Sequence, residues 1–319
     1  MTEVTRVPAE ADELRDEHGV VIHRAKLPIR RPAEQLHVRP GVDGVVSTDP
    51  DHAGWRYLAF RAFSLADGEA LLLDRPEQEA VVVTISGGGI DVDVEGNRRV
   101  WHLPGRTSVF DGMPWAAYLP AGHATTIVGR PEPGGRAVVA LAQAPLTGRP
   151  GIASEPIVVE PGDVEIEIRG RGNATRQVNN IVMPAFPADR LLVCEVFTPS
   201  GGWSGWPPHK HDVDDPLREA VLEETYYYQF RRPEGWAIQR IYHRDGSRDR
   251  LIPVRHGDLV VVDQGYHPFA ATQGYDAYYL NVLAGDRRTM ANTDDPDLAW
   301  VRGLWEDMER DPRLPLVRP

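Results

Sequence analysis

Two histidines one residue apart, His209 and His211, stand in the run Pro207-Pro-His-Lys-His-Asp212, and Glu224 opens the aromatic run Glu-Thr-Tyr-Tyr-Tyr. A third histidine, His267, follows in Gly257-Asp-Leu-Val-Val-Val-Asp-Gln-Gly-Tyr-His267. If His209-Lys-His211 is extended, the two-residue period of a strand turns both imidazoles to one face and Lys210 to the other. By the same period Glu224, Tyr226 and Tyr228 share a face, while Thr225 and Tyr227 take the opposite one. Glu223 is the alternative carboxylate, pointing outward if Glu224 points in. A His-x-His pair alone is as often two surface side chains. Joined by His267 and a carboxylate it becomes a set of metal donors, His209, His211, Glu224 and His267. Imidazole with one carboxylate suits a divalent transition metal, zinc first, with iron, manganese, nickel or cobalt accepted by the same donors.

These residues have to be held by strands, and the surrounding chain reads that way. From Gly54 onward, short apolar runs (WRYLAFRAFSL, EALLLD, EAVVVTISGGGIDVDVEG, RRVWHL, SVFDG, WAAYLP, HATTIVG, RAVVALAQAP) alternate with Gly, Pro and Asp punctuation. No helix long enough for a βαβ crossover interrupts them, so the fold class expected is all-β, a sandwich or barrel. A Pro/Gly-rich passage, 145–162, separates this half from a second of the same texture (RLLVCEVFTP, EETYYYQF, GWAIQRIYH, RLIPV, GDLVVVDQ, DAYYLNVLAG). In both halves a glycine-led apolar run precedes a turn carrying a histidine, His123 in the first and His267 in the second. This faint duplication predicts two similar units with metal donors only in the second, His123 having no companions.

The division expected is an N-terminal extension over 1–40, a first unit over 41–150, a second over 151–305 and a tail over 306–319. Within the extension, Ala9 to His18 invites a helical turn and Val20 to His23 a short strand. Elsewhere only Pro216–Leu222 and Leu298–Glu309 invite helices.

Forty-seven acidic against 35 basic residues leave a net charge of -12, without a Lys/Arg block, which argues against nucleic acid or an anionic membrane as partner. The acidic start is no signal peptide, and no apolar run reaches the roughly eighteen residues of a spanning helix, so a cytoplasmic protein is expected. The single cysteine, Cys194, lies in an apolar run and reads as a buried, inert thiol. Edge strands of two β units allow a homodimer.

The His-x-His, the following Glu, the glycine-led run and Gly-x-His resemble the two motifs of the cupin superfamily, which implies two antiparallel cupin-type barrels, a bicupin with few short helices. Two departures stand out: about a dozen residues separate His211 from Glu224, and Asp263 stands in place of a proline. Both are features of a narrower family that this chain resembles, the 5-deoxy-glucuronate isomerases of bacterial inositol catabolism. The segments that carry the likeness are PPHKHD, LEETYYY, QRIYHRD, GDLVVVDQGYHPFAATQGYDAYYLNVLAG, GRTSVFDGMPWAAYLP and GNATRQVNNI, spread from about Leu36 to about Val301.

The resemblance implies a metal-dependent aldose–ketose isomerisation of a sugar acid, 5-deoxy-glucuronate to 2-deoxy-5-keto-gluconate, through an enediolate stabilised by the metal. Candidates for the proton-moving group are Tyr226, Tyr228, His243 and Glu195. Candidates for substrate binding are Lys210, Arg176, Arg240 and Gln239, the arginines as partners of the substrate carboxylate. The rival readings are a metal-dependent dioxygenase with the same ligands and a sugar-acid-binding protein without catalysis.

Overall fold

A computed structural model describes residues 14–15, 21–22, 36–74 and 77–319. The chain forms two antiparallel β units side by side. In the first, a six-stranded sheet (Ile157–Val159, Ala116–Leu119, Gln78–Ser86, Ala137–Pro145, Ala59–Leu65, Val46–Thr48, in spatial order) faces a four-stranded one (Ala70–Leu73, Thr125–Pro131, Gly88–Val94, Val100–Arg106). In the second, a seven-stranded sheet runs Glu165–Arg169, Arg176–Val182, Leu192–Thr198, Ala277–Gly285, Leu222–Phe230, Leu259–Val262, His37–Val38. A four-stranded sheet (Trp203–Ser204, Phe269–Ala271, Trp236–Tyr242, Asp249–Arg255) covers its inner face.

Burial explains the layering. Every residue of Leu192–Thr198, Leu222–Phe230 and Ala277–Gly285 is buried, so these strands need apolar cover on both faces. One face supplies Phe197, Tyr227, Tyr278 and Val261 to a core shared with Phe60, Val83 and Tyr118 of the first unit. The other supplies Val196, Tyr226, Tyr228 and Tyr279 to the interior of the second unit. The first unit's interior is packed with Phe63, Leu65, Val82, Ile90, Leu103 and Ile127.

A matched pair of carboxylates ties the units together. Glu223 accepts hydrogen bonds from the backbone N–H groups of Arg56, Tyr57 and Leu58, at 2.6, 2.8 and 2.9 Å. Glu79 accepts from Asp189, Arg190 and Leu191, at 2.6, 2.7 and 2.7 Å. Each glutamate is buried, sits at the start of a long strand of its own unit, and satisfies the three amides that lead into the equivalent strand of the other unit.

Several elements differ from the sequence reading. Ile157–Val159, on the second-unit side of the expected division, pairs with Ala116–Leu119 of the first. His37–Val38, from the expected extension, edges the second unit against Leu259–Val262. Glu165–Arg169 and Arg176–Val182, unread as strands, close the other edge of that sheet, whereas Ser108–Gly112 is a turn. Pro216–Leu222 is no helix: an isolated bridge between Asp215 and Glu219 folds it into a tight turn, and Arg287 binds the Glu219 and Asp215 carbonyls that a helix would use. Of 298–309, Val301–Leu304 is helical and Trp305–Asp307 forms a 3-10 turn. Val21–Ile22 is a strand, paired with Leu14–Arg15 of the segment read as helical, while the rest of Ala9 to His18, with Val20 and His23, lies outside the described residues. The C-terminal residues are built in. Buried Gln177 accepts from the Leu316 and Val317 amides at 2.7 and 3.2 Å and donates to the Val317 carbonyl at 2.8 Å.

Candidate metal centre

His209 lies on the short strand His209–Lys210, paired with Asp294, and His211 follows it. The long stretch from His211 to Glu224 is pinched off at its base. The Leu222 amide donates to the His211 carbonyl at 3.0 Å, and His211 Nδ1 to the Leu222 carbonyl at 3.1 Å. The intervening residues therefore leave and rejoin the site at one point, and the strand Leu222–Phe230 delivers Glu224 beside His211. Lys210 points away from the imidazoles and grips this loop, donating to Asp212 at 2.6 Å and Glu219 at 2.7 Å. Asp212 in turn accepts from the Gly265 amide at 2.9 Å. Gly265 has a φ of +94°, and a Cβ there would stand 2.7 Å from the His243 ring and from the Tyr242 carbonyl oxygen, so the turn that aims His267 depends on glycine.

The three imidazoles converge, with ring centroids 6.2, 4.8 and 4.9 Å apart. One ring nitrogen from each lies within 4.8 Å of the others. Two ligands on one ion, at about 2.1 Å each, stand at most about 4.2 Å apart, so a small inward shift suffices for a common ion. Glu224 Oε2 lies 2.9 Å from His211 Nε2 and 3.2 Å from His267 Nε2. Nδ1 of His267 donates to the Gly265 carbonyl at 2.8 Å. With Nδ1 protonated on both His211 and His267, each Nε2 turns a lone pair toward the same carboxylate oxygen. His267 Nε2 is buried without a hydrogen bond. Such a cluster of acceptors calls for a cation, and its N₃O donor set fits a divalent transition metal.

The charges respond accordingly. Burial opposes charging of His211, but the Glu224 carboxylate overrides it and raises the His211 pKa above the usual imidazole value. Burial would raise Glu224, yet His211 and His267 hold it well below the usual carboxylate range. Burial, with the other two imidazoles, drives His209 well below its ordinary value. Asn281 donates to the other Glu224 oxygen, Oε1, at 2.6 Å, and so leaves Oε2 facing the histidines.

A cavity opens onto His209, His211 and Glu224, lined also by Arg169, Arg176, Cys194, Tyr226, Tyr279 and Asn281. Of the proton-moving candidates it contains Tyr226. Tyr228 shares the Tyr226 face and stacks with it at 6.3 Å, but its hydroxyl donates to Gln239 Oε1 at 2.8 Å within the core. Gln239 is buried away from the cavity and holds the His267 carbonyl at 2.6 Å. His243 packs under the Gly265 turn, its Nδ1 3.0 Å from Ser247 Oγ. Glu195 faces the other way from the cavity-lining Cys194 and Val196, and pairs with Arg106 of the first unit, Asn179 and Tyr278. Arg240 lies on the surface in a two-pronged pair with Asp249, both bonds 2.8 Å. Arg176 alone of the substrate-binding candidates lines the cavity. Cys194 is buried in its wall, the thiol pushed up to about 12 by desolvation. Sequence reasoning missed Arg169 and Asn281, although Asn281 stood out as the lone amide within the apolar run Tyr278–Ala284.

Residues 33–301 match the KduI/IolB family. The 5-deoxy-glucuronate isomerase of Geobacillus kaustophilus (strain HTA426) is 40% identical over 266 residues, covering 82% of this chain and 92% of that one. The protein of the same name from Halalkalibacterium halodurans is 36% identical over 275 residues, covering 86% and 98%. The crystal structure of an IolB-like protein from Salmonella typhimurium LT2 superposes with a TM-score of 0.78 at 34% identity, over 84% of this chain and 99% of that one. Oxalate decarboxylase of Lactobacillus farciminis, at 13% identity and a TM-score of 0.55 over 85% and 90% of the two chains, shares the cupin-type fold alone.

Proposed function

Because the chain belongs to the KduI/IolB family, we propose that it isomerises 5-deoxy-glucuronate to 2-deoxy-5-keto-gluconate in myo-inositol catabolism, as a metal-dependent enzyme of the cytoplasm. The protein is a sugar-acid isomerase, an intramolecular oxidoreductase, as its curated relatives are named. The observation that carries the metal-dependent reading is the convergence of His209, His211, His267 and Glu224 at one end of a cavity that also holds an arginine pair.

The chemical difficulty is the weak acidity of C2–H beside an aldehyde. A divalent ion would be held by His209, His211, His267 and Glu224 and would supply Lewis acidity for the negative charge that builds on the substrate oxygens. The chain's own residues do the remainder. Asn281 fixes which Glu224 oxygen faces inward, and the His211 and His267 Nδ1 protons are held by backbone carbonyls, so the donors are oriented before substrate arrives. Tyr226, buried beside Glu224, has its pKa pushed well above the ordinary phenol value by desolvation and by that carboxylate. Tyr226 therefore stays a neutral phenol at the cavity wall, where its hydroxyl holds a proton for a substrate oxygen.

The test is metal analysis of the purified protein, followed by anaerobic incubation of the metal-loaded form with 5-deoxy-glucuronate. Ketose formation is expected, lost in Tyr226→Phe with metal retained. Oxygen consumption in an aerobic control, with no ketose, would overturn the isomerase reading.

A further inference from the structure

Arg169 and Arg176 are direct cross-strand partners on the edge strand of the large second sheet and its neighbour, so their side chains share one face, and both line the cavity. Like charges directly opposed across a sheet destabilise it unless something compensates them. Arg169 has a partner, Glu167, at 2.7 Å. Arg176 has none: its guanidinium makes one long hydrogen bond, Nη1 to the Ala174 carbonyl at 3.4 Å, and no ion pair is formed by it among the described residues. Reached by solvent through the cavity, it is otherwise set deep in protein, and desolvation followed by the Arg169 and Arg302 charges pulls its pKa below the usual guanidinium value, with the Tyr279 and Tyr226 phenols opposing. A desolvated guanidinium without an ion-pair partner leaves its fork of N–H donors open to an anion, with the Glu167-bound guanidinium of Arg169 beside it.

Resting on the isomerase reading for the identity of the sugar, we infer that Arg176, seconded by Arg169, forms an anion subsite that takes the carboxylate of a sugar acid and thereby sets which end meets the His209–His211–His267–Glu224 cluster. The strand register sets Arg176 three strands across and six residues along the sheet from Glu224, at the opposite end of the face that both share. Both side chains line the one cavity, so a ligand held by the arginine reaches toward the donor cluster from the far end. Val178, Cys194, Val196, Tyr279 and Asn281 line the cavity between them.

The experiment compares two ligands that differ only at the terminal group, 5-deoxy-glucuronate and neutral 5-deoxy-glucose, on metal-loaded wild type, Arg176→Gln, Arg176→Lys and Arg169→Gln. Turnover is read as KM and kcat, and binding of glucuronate against glucose is read separately by calorimetry, with metal content and circular dichroism recorded for each protein. In Arg176→Gln, KM and Kd for the acids should rise on the order of 10- to 100-fold, while values for the neutral sugars and the metal content stay unchanged. Arg176→Lys should recover part of the loss, and Arg169→Gln should show a smaller loss of the same kind. Acid-selective binding that disappears in Arg176→Gln sustains the subsite even if no sugar is turned over, which would count against the isomerase reading alone. Equal weakening for acid and neutral ligands, or acid binding untouched in both Arg176→Gln and Arg169→Gln, overturns the subsite. Should Arg176→Gln fail to fold, Arg176→Lys and Arg169→Gln decide by the same ratio.

Discussion

Glu223 and Glu224 are adjacent in sequence and serve opposite sides of one strand: Glu223 receives three backbone amides of the first unit, and Glu224 faces His211 and His267. The period of two along Leu222–Phe230 makes this division unavoidable. Glu224→Ala is expected to purify folded, with metal lost and turnover abolished. Glu223→Ala leaves three amides without an acceptor and should cost at least ~3 kcal/mol of stability in urea titration, while the folded fraction keeps its metal. Full metal retention and turnover in Glu224→Ala would contradict the ligand assignment.

Asn281 makes a second, gentler test of the same carboxylate. Asn281→Ala removes the donor to Glu224 Oε1 and lets the carboxylate turn. Metal affinity measured by chelator competition should fall about 10- to 100-fold, and the metal-free protein should lose about 1–3 kcal/mol of stability as the buried carboxylate loses a donor.

The pKa shifts at the centre give a pH signature with a definite sign. In the metal-free protein the folded pKa of His211 is raised above its unfolded value of about 6.5. Its contribution is therefore complete below about pH 6.5 and disappears as pH rises through the folded pKa. Glu224, with its pKa depressed, contributes above its unfolded value of about 4.3 and loses that contribution as pH falls through its folded pKa. Metal competes with the His211 proton, so the gain in Tm on adding metal should widen as pH increases from 6 to 8. Melting curves with and without zinc across that interval check it; a gain that shrinks with pH would remove His211 from the ligand set.

The buried Arg106–Glu195 pair predicts a different phenotype. Glu195→Gln should retain kcat within a few-fold, because the side chain faces the first unit rather than the cavity. Arg106→Met strands the Glu195 carboxylate and should destabilise by about 3–5 kcal/mol. The double variant Arg106→Met/Glu195→Leu should recover much of this, which a double-mutant cycle in urea would measure.

The cluster of His209, His211, His267 and Glu224 is legible in the sequence only in combination: a His-x-His pair alone is as often two surface side chains, and the period of two along the strand is what separates Glu224 from Glu223. Phase was harder. Leu192–Thr198 reads as a strand, but whether Glu195 or its neighbours Cys194 and Val196 face inward depends on which sheet face the first unit covers. Likewise the alternation in Glu165–Arg169 says nothing of its pairing with Arg176–Val182, and so the arginine pair stayed hidden. Pro216–Leu222 carries good helix formers, yet seven residues tethered by Lys210, Arg287 and the Asp215–Glu219 bridge gain more from a turn.

The crossed glutamates Glu79 and Glu223 make the two units joint owners of their backbone hydrogen bonds. Cutting the chain between them would strip each glutamate of its three backbone donors and leave each fragment with three orphan amides. The first unit fills its interior with hydrocarbon, but it is not dispensable: either half made alone should be insoluble, and the two should melt as one.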